Sequence, residues 1–309
     1  MNKIKLTFIA IICTLVLGVS KAQQDAQYSM YMFNQLALNP AYSGVFDQAQ
    51  AQLIFRRQWL NLPGAPQTAG FNVHGPMRNE NVALGLSFVN DQHGLINTNG
   101  LMTSYAYHLS FPKSRLSLGL QAGLENFAAN LTQASLSPNQ EFDQAFASNI
   151  SQWSFNYGAG AFWYNDRFFV GFSVPHIRNN IISDQQLNSV FVARRRTHAF
   201  LTGGYVIDIG PTTKLKPSML MKYASGAPLQ IDLNMQIYFY ENIGLGVSYR
   251  TMDAITVMGE LQLTRSLRLG YAFDQTVNAL SRYSGGTHEV MLRYNWGFSK
   301  DKNLTPRYF

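Results

Sequence analysis

Apolar and polar residues alternate along most of this chain. Leu229, Ile231, Leu233, Met235, Ile237 and Phe239 are apolar, while Gln230, Asp232, Asn234, Gln236 and Tyr238 fill the gaps. Val290, Leu292, Tyr294, Trp296 and Phe298 alternate with Glu289, Met291, Arg293, Asn295 and Gly297. The same holds for Ile255, Val257, Gly259, Leu261 and Leu263, and for Leu116, Leu118, Leu120, Ala122 and Leu124. Successive side chains of a strand point to opposite faces, so each segment has one greasy and one polar face.

A soluble β-sandwich would alternate in the same way, with its apolar face turned inward. Segment length favours the inverted, lipid-facing arrangement. The segments run about 9–14 residues, and a tilted strand needs about 9–11 to cross hydrocarbon, against about 5–6 in soluble sheets. Aromatics gather at segment ends, at Tyr238, Phe239 and Tyr240 and at Tyr294, Trp296 and Phe298, where interfacial girdles sit in membrane barrels. The polar face carries Gly, Ser, Gln and isolated charges, which suit a watery or plugged lumen.

The pattern predicts an all-β fold: a transmembrane outer-membrane β-barrel of about 14 antiparallel strands. They are expected at 50–59, 67–75, 81–90, 99–111, 115–128, 152–164, 167–175, 196–208, 212–222, 229–240, 243–251, 253–264, 267–275 and 286–298. Tight connections alternate with longer ones, among which Asp91–Thr98, Ala129–Ser151 and His176–Arg195 are counted; the junction at Met252 breaks the rhythm. Short turns on one side and long loops on the other is the bacterial outer-membrane pattern, and an even count places both termini in the periplasm. Closure pairs every strand edge, as hydrocarbon requires.

The first 22 residues read differently. Lys3 and Lys5 precede the apolar run Leu6–Val19, followed by Ser20-Lys21-Ala22, which is the form of a secretory signal peptide cut after Ala22. The expected organisation is therefore a signal peptide at 1–22, a periplasmic strap or plug at 23–49, the barrel at 50–298 and a periplasmic tail at 299–309. Composition agrees. Charged residues are 13% of the chain, about half the usual share of roughly 25%. Outside the leader 21 basic side chains face 17 acidic ones, a scattered balance that makes no case for nucleic acid. The single cysteine, Cys13, lies in the leader, so the mature chain has no disulfide, thiolate nucleophile or Cys-ligated metal.

Catalytic and metal-binding constellations are missing from the sequence. His74, His93, His108, His176, His198 and His288 are scattered, with no pair at helical or strand spacing. His288-Glu289 begins like a zinc helix, but the second His is absent and the stretch is a strand. Gly158-Ala159-Gly160 and Gly244-Leu245-Gly246 lie inside strands, where glycine marks close packing or curvature. Arg194-Arg195-Arg196 reads as a solvated loop end facing lipopolysaccharide, with an anion site as the alternative. No enzyme activity, cofactor or metal is expected.

Between leader and first strand, the stretch Tyr28–Gly44 is rich in aromatics yet neither alternates nor is long enough to span. Tyr31, Phe33, Asn34, Asn39, Pro40 and Tyr42 form a compact aromatic and turn-forming cluster there, the candidate interaction strap. Pro40 fixes its own φ and biases Asn39 toward an extended conformation. The aromatics are expected to bury against the lumen wall or a partner. The stretch Tyr28–Gly44, with Asn39-Pro40-Ala41-Tyr42-Ser43-Gly44 at its end, resembles the N-terminal signature of the PorP/SprF family of type IX secretion system outer-membrane proteins, found in Bacteroidota. Further segments resemble the same family in order: Arg56-Arg57-Gln58-Trp59, Gly64-Ala65-Pro66-Gln67-Thr68, Tyr105-Ala106-Tyr107, Leu215-Lys216-Pro217-Ser218, Gln230-Ile231-Asp232-Leu233-Asn234, Gly270-Tyr271-Ala272-Phe273-Asp274 and Thr287-His288-Glu289. Thr287 departs from the pattern, which has Ser before the His-Glu pair.

The resemblance implies an outer-membrane component, not an enzyme, that supports secretion or the surface delivery of client proteins such as gliding adhesins. Its implied partners are type IX secretion components and an exported client or adhesin, besides outer-membrane lipid. Loops 129–151 and 176–195 are the expected client contacts, and the strap could instead touch periplasmic ring components. A second reading is a transport barrel for hydrophobic small molecules, of the fatty-acid transporter type, whose members also carry Asn-Pro-Ala near the N-terminus.

Overall fold

The computed structural model describes residues 27–46, 48–133, 148–178, 181–183, 192–194 and 197–296. Fourteen antiparallel strands close into a barrel. They are β1 (Ala49–Arg57), β2 (Gln67–Pro76), β3 (Val82–His93), β4 (Ile96–Phe111), β5 (Ser114–Ala129), β6 (Ile150–Tyr164) and β7 (Phe168–Val174) in the first half. The second half holds β8 (His198–Tyr205), β9 (Thr213–Ala224), β10 (Gln230–Phe239), β11 (Ile243–Arg250), β12 (Ala254–Gln262), β13 (Leu267–Thr276) and β14 (Thr287–Trp296). Each strand pairs with its sequence neighbours, and β1 closes the ring on β14 with Ala49 opposite Trp296 and Arg57 opposite His288. A two-residue piece, Ile207–Asp208, extends the sheet beside β9, and a small hairpin, Ile181–Ser183 with Val192–Arg194, stands apart from the barrel.

Alternation becomes an inside and an outside. Leu233, Val257 and Leu120 are more than half exposed, while Asn234 and Thr256, one residue away, are buried. The outward set runs round the barrel through Leu53, Leu86, Leu101, Phe172, Leu201, Val247 and Leu292. An apolar band of this extent would be untenable in water and is what a hydrocarbon slab requires. Outward aromatics flank it, Trp153, Tyr157, Tyr223 and Tyr249 toward one rim and Tyr107, Trp163, Tyr205 and Tyr294 toward the other.

The rims differ. At the turn rim, where β1 starts and β14 ends, connections are short, such as Pro112–Lys113 and Tyr240–Asn242. The loop rim carries the longer ones, such as 58–66 and 277–286. One expected loop, Asp91–Thr98, is instead sheet: β3 and β4 run on to a two-residue turn at Gly94-Leu95, with Gly94 at φ +56°. Its polar residues hold the ladder, since the Asn90 amide donates to Asn97 (2.8 Å) and Asn99 (2.7 Å) on the facing strand. Strands β3 to β6 therefore rise higher at the loop rim than the rest. At the irregular junction, Met252 takes φ +59° and closes a tight turn between β11 and β12. Tyr238, expected in an interfacial girdle, points into the lumen, because it shares the inward register of Asn234 and Gln236. The leader, the Phe298 position, most of loops 129–151 and 176–195, and Arg195-Arg196 lie outside the described residues.

Candidate functional site

The lumen is filled by the chain's own N-terminal segment. Residues 28–45 are nearly all buried, and they form three short 3₁₀ turns, Tyr31–Phe33, Gln35–Ala37 and Pro40–Tyr42, linked without a strand. With no sheet ladder to satisfy it, the segment must find its hydrogen bonds in those turns and on the barrel wall. The polar inner faces of the strands supply them.

Near the loop rim the segment is fastened by an ionic cluster. Arg56 on β1 reaches Asp274 of β13 and Glu289 of β14, both at 2.8 Å. Glu289 accepts the backbone N–H groups of Ser29 (2.7 Å) and Met30 (2.8 Å), and the Ser29 hydroxyl donates to Asp274 (2.5 Å). Arg56 also donates to that hydroxyl (2.6 Å), and Thr256 donates to the other Asp274 oxygen (2.8 Å). Beside it, Arg250 pairs with Asp232 (3.0 Å) and Asp253 (3.2 Å). Buried charges persist only when paired and hydrogen-bonded. Here part of that pairing comes from strap backbone, so the strap completes the wall's electrostatics.

Every one of the candidate strap residues faces the barrel wall. Tyr31 takes a hydrogen bond from the Asn234 amide, and Asn34 takes one from Asn72 (2.8 Å). Phe33 lies under the Lys216 ammonium, 5.5 Å from its ring centre, with the Arg293 guanidinium at 6.0 Å. Asn39 caps the third turn through Ala41 N–H (3.0 Å), while its amide donates to the Ala161 carbonyl of β6 (3.0 Å). Pro40 starts that turn, as its fixed φ favours, and Asn39 before it is extended at φ −141°, ψ 113°. Tyr42 packs edge-on against Phe162 (5.4 Å), His74 (5.8 Å) and Phe46 (6.0 Å). Burial pushes the Tyr28 and Tyr31 hydroxyls up, with nearby Glu289 and Asp232 adding to it, so both remain neutral hydrogen-bonding groups.

The last turn is clasped by histidines. His74 accepts from Gly44 N–H (3.1 Å) and meets Gln50 (3.1 Å), while His108 contacts the Ser43 carbonyl (3.0 Å). Ser43 and Ser104 share a hydrogen bond (2.8 Å), and Ser173 donates to the Leu38 carbonyl (2.7 Å). Of the other histidines, His288 lies on the outer face against Tyr271 (2.6 Å). Among the described residues no group of His, Cys, Asp or Glu could hold a metal.

Glycines on the wall make room for the strap. A Cβ on Gly119 would sit 2.2 Å from the Ala41 nitrogen, and one on Gly160 2.1 Å from the Asn39 side-chain oxygen. Gly44 itself has φ +68°, and a Cβ there would strike Ala83 at 2.3 Å. The sequence reading missed Arg56, Asp232, Arg250, Asp274 and Glu289 as a site. Their signal was available: charges on the inward register of membrane strands must find partners across the lumen.

A cleft of about 170 Å³, open at its mouth, remains between the strap and the wall of β2–β5. Among the described residues, the arrangement packs the strap against the inner wall of the barrel. A family model described as type IX secretion system membrane protein PorP/SprF matches residues 20–294. No curated protein matches the chain. Among solved structures, the chain is similar to the Acinetobacter baumannii outer membrane protein Omp33, at 12% identity over 83% of this chain and 100% of that one, TM-score 0.45. It is also similar to a Pseudomonas aeruginosa FadL homologue, at 15% identity over 91% of this chain and 96% of that one, TM-score 0.47.

Proposed function

This chain belongs to the PorP/SprF family of type IX secretion system membrane proteins, and from that premise we propose that it supports secretion or surface delivery of client proteins, such as gliding adhesins, without catalysis. The observation that carries this reading is the strap. With residues 28–45 packed against the wall, the lumen is no open conduit for a polypeptide. A client is then held at a rim and the barrel serves as its anchor. In this reading the leader is removed after Ala22, the loop rim faces outward and meets the client through loops 129–151 and 176–195, and the turn rim faces periplasmic type IX components.

Tyr31, Phe33, Asn34, Asn39, Pro40 and Tyr42 are the residues through which the strap acts. They set the shape of the plugged lumen and hence the rim that a partner meets. Phe33→Ala with Tyr42→Ala is expected to leave a barrel that inserts and shifts on heating, because closure rests on the interstrand ladder. Client delivery to the surface should stop. Barrel abundance in outer-membrane fractions, read beside surface labelling of the client, checks this. Loss of the barrel would reduce the strap to a folding element, and normal delivery would remove its role.

A further inference from the structure

The strands that rise above the rest at the loop rim, β3 to β6, end in an open step. β6 pairs with β5 along its full length, from Ile150 opposite Ala129 to Tyr164 opposite Arg115. On its other side it pairs with β7 only from Ala159 to Tyr164. Pro175 ends that ladder. It has no N–H to give, its carbonyl accepts from Gln121 (2.7 Å), and a Cβ on Gly158 would meet that carbonyl oxygen at 2.1 Å. One more bond, from the Ile177 N–H to the Tyr157 carbonyl (2.9 Å), is the last backbone bond on this side of β6 among the described residues. The hairpin of Ile181–Ser183 and Val192–Arg194 pairs only with itself. Residues 150–156 thus form a free strand edge, roughly 20 Å long at the rise of a strand.

The ladder fixes which groups are free. In an antiparallel strand the N–H and C=O of one residue point to one neighbour, and those of the next residue to the other. The Tyr157 carbonyl faces Ile177, and its N–H donates to the Asn156 side-chain oxygen (2.9 Å). Ser151, Trp153 and Phe155 share that register, so their backbone groups face the open side and have no backbone partner among the described residues. Their side chains lie on the outer face, Trp153 67% and Phe155 48% exposed, while Gln152, Ser154 and Asn156 turn toward the lumen. Trp153 and Tyr157 belong to the aromatic belt of the loop rim. The edge therefore lies at headgroup level and above, outside the hydrocarbon in which an open ladder is untenable.

Natural sheets blunt such an edge with lysine, proline or an inward charge. Residues 150–158 include no charged residue and no proline. We propose that this edge takes up an extended strand of the exported client as an added strand of the sheet. The inference rests on the secretion reading for the identity of the partner. A row of alternating N–H and C=O groups is met in full only by another extended backbone. Beside Trp153 and Phe155 the client strand presents aromatic or β-branched side chains, and beside Gln152 and Ser154 small polar ones. It carries no charge there, because the edge offers none to pair with. The step also opens between loops 129–151 and 176–195, at the rim where the secretion reading places the client.

The probe is the peptide acetyl-Lys-Thr-Val-Thr-Val-Thr-Val-Thr-Lys-amide, titrated calorimetrically into the refolded full chain in a neutral sugar detergent. It should bind, and the same peptide N-methylated at every valine and threonine should not. Phe155→Ala should weaken binding by up to about fivefold through loss of a cross-strand pair. Phe155→Pro also removes an edge N–H while sparing the β5 ladder, and should weaken binding by about a further five- to tenfold. No binding by the unmodified peptide, or equal affinity in the alanine and proline variants, would overturn the proposal. So would a wild-type dimer that Phe155→Pro dissolves, since the occupant is then a second copy. If Phe155→Pro loses its heat-induced gel shift, the N-methylated peptide decides. In cells, the client is the surface protein that disappears when the gene is deleted. Its loss in Phe155→Pro but not in Phe155→Ala supports the edge, and its normal display in Phe155→Pro sinks the edge alone. If deletion removes no surface protein, the secretion reading fails and the edge loses its client with it.

Discussion

Replacing Arg56 with methionine removes the counter-charge from two carboxylates while keeping much of the side chain's volume. Asp274 and Glu289 would then lie buried with Ser29, Met30 and Thr256 as their remaining donors. Breaking a buried pair by taking one partner costs about 3–5 kcal/mol. The barrel has a cheaper escape than unfolding. If the strap end lifts away, water enters and solvates both carboxylates, so the penalty falls on the strap's closed state. A cost of that size raises the open population by roughly two to three and a half powers of ten. Hydrogen exchange reads this directly at the Ser29 and Met30 amides, whose protection comes from Glu289. Protection there should fall by that factor, while amides of the β10–β13 ladder remain protected. Neutralising all three groups, with Arg56→Met, Asp274→Asn and Glu289→Gln together, should restore much of the loss, because no charge is left unpaired. Unchanged protection in Arg56→Met would refute the claim that the cluster fastens the strap. Collapse of ladder protection would show that it holds the barrel instead.

Two other outcomes follow from the faces and the rims. Leu233→Arg should lower the folded, heat-shifted fraction, since Arg at the middle of a lipid face costs about 2–4 kcal/mol, whereas Thr98→Arg, opening on the cleft, should be mild; equal damage would mean the face is not in lipid. With Cys13, inside the proposed leader, the only cysteine of the sequence, Pro63→Cys and Ser225→Cys should label on intact cells and Lys113→Cys and Asp166→Cys only after permeabilisation; the reverse pattern inverts the orientation.

The barrel was legible because its physics is written residue by residue. A strand between lipid and lumen must alternate, and the alternation at 229–239 and 253–263 carries strand, face and register at once. Where the reading slipped, a second force was present. Asp91–Thr98 looked like a loop because it is polar on both faces; cross-strand asparagine pairs at Asn90, Asn97 and Asn99 let it stay in the sheet beyond the lipid. Tyr238 looked like a girdle residue by type, yet its register turns it inward under the Lys216 ammonium, 5.6 Å from the ring centre.

The strap was legible only as an anomaly, and the reason lies in how its contacts are made. Its partners come from strands far apart in sequence: Ser29 meets Glu289, Asn34 meets Asn72, Asn39 meets Ala161. No local pattern encodes such pairings. What the sequence does hold is the complementary relief. Gly119 and Gly160 stand on the inward register of β5 and β6, where a barrel enclosing only water could carry any small polar residue. Against the strap, a methyl group there would meet Ala41 or Asn39 at about 2 Å, closer than non-bonded atoms approach. Inward glycines in neighbouring strands therefore trace the groove in which the strap lies. They mark a lumen shaped around an internal segment, the observation on which the proposed anchoring role rests.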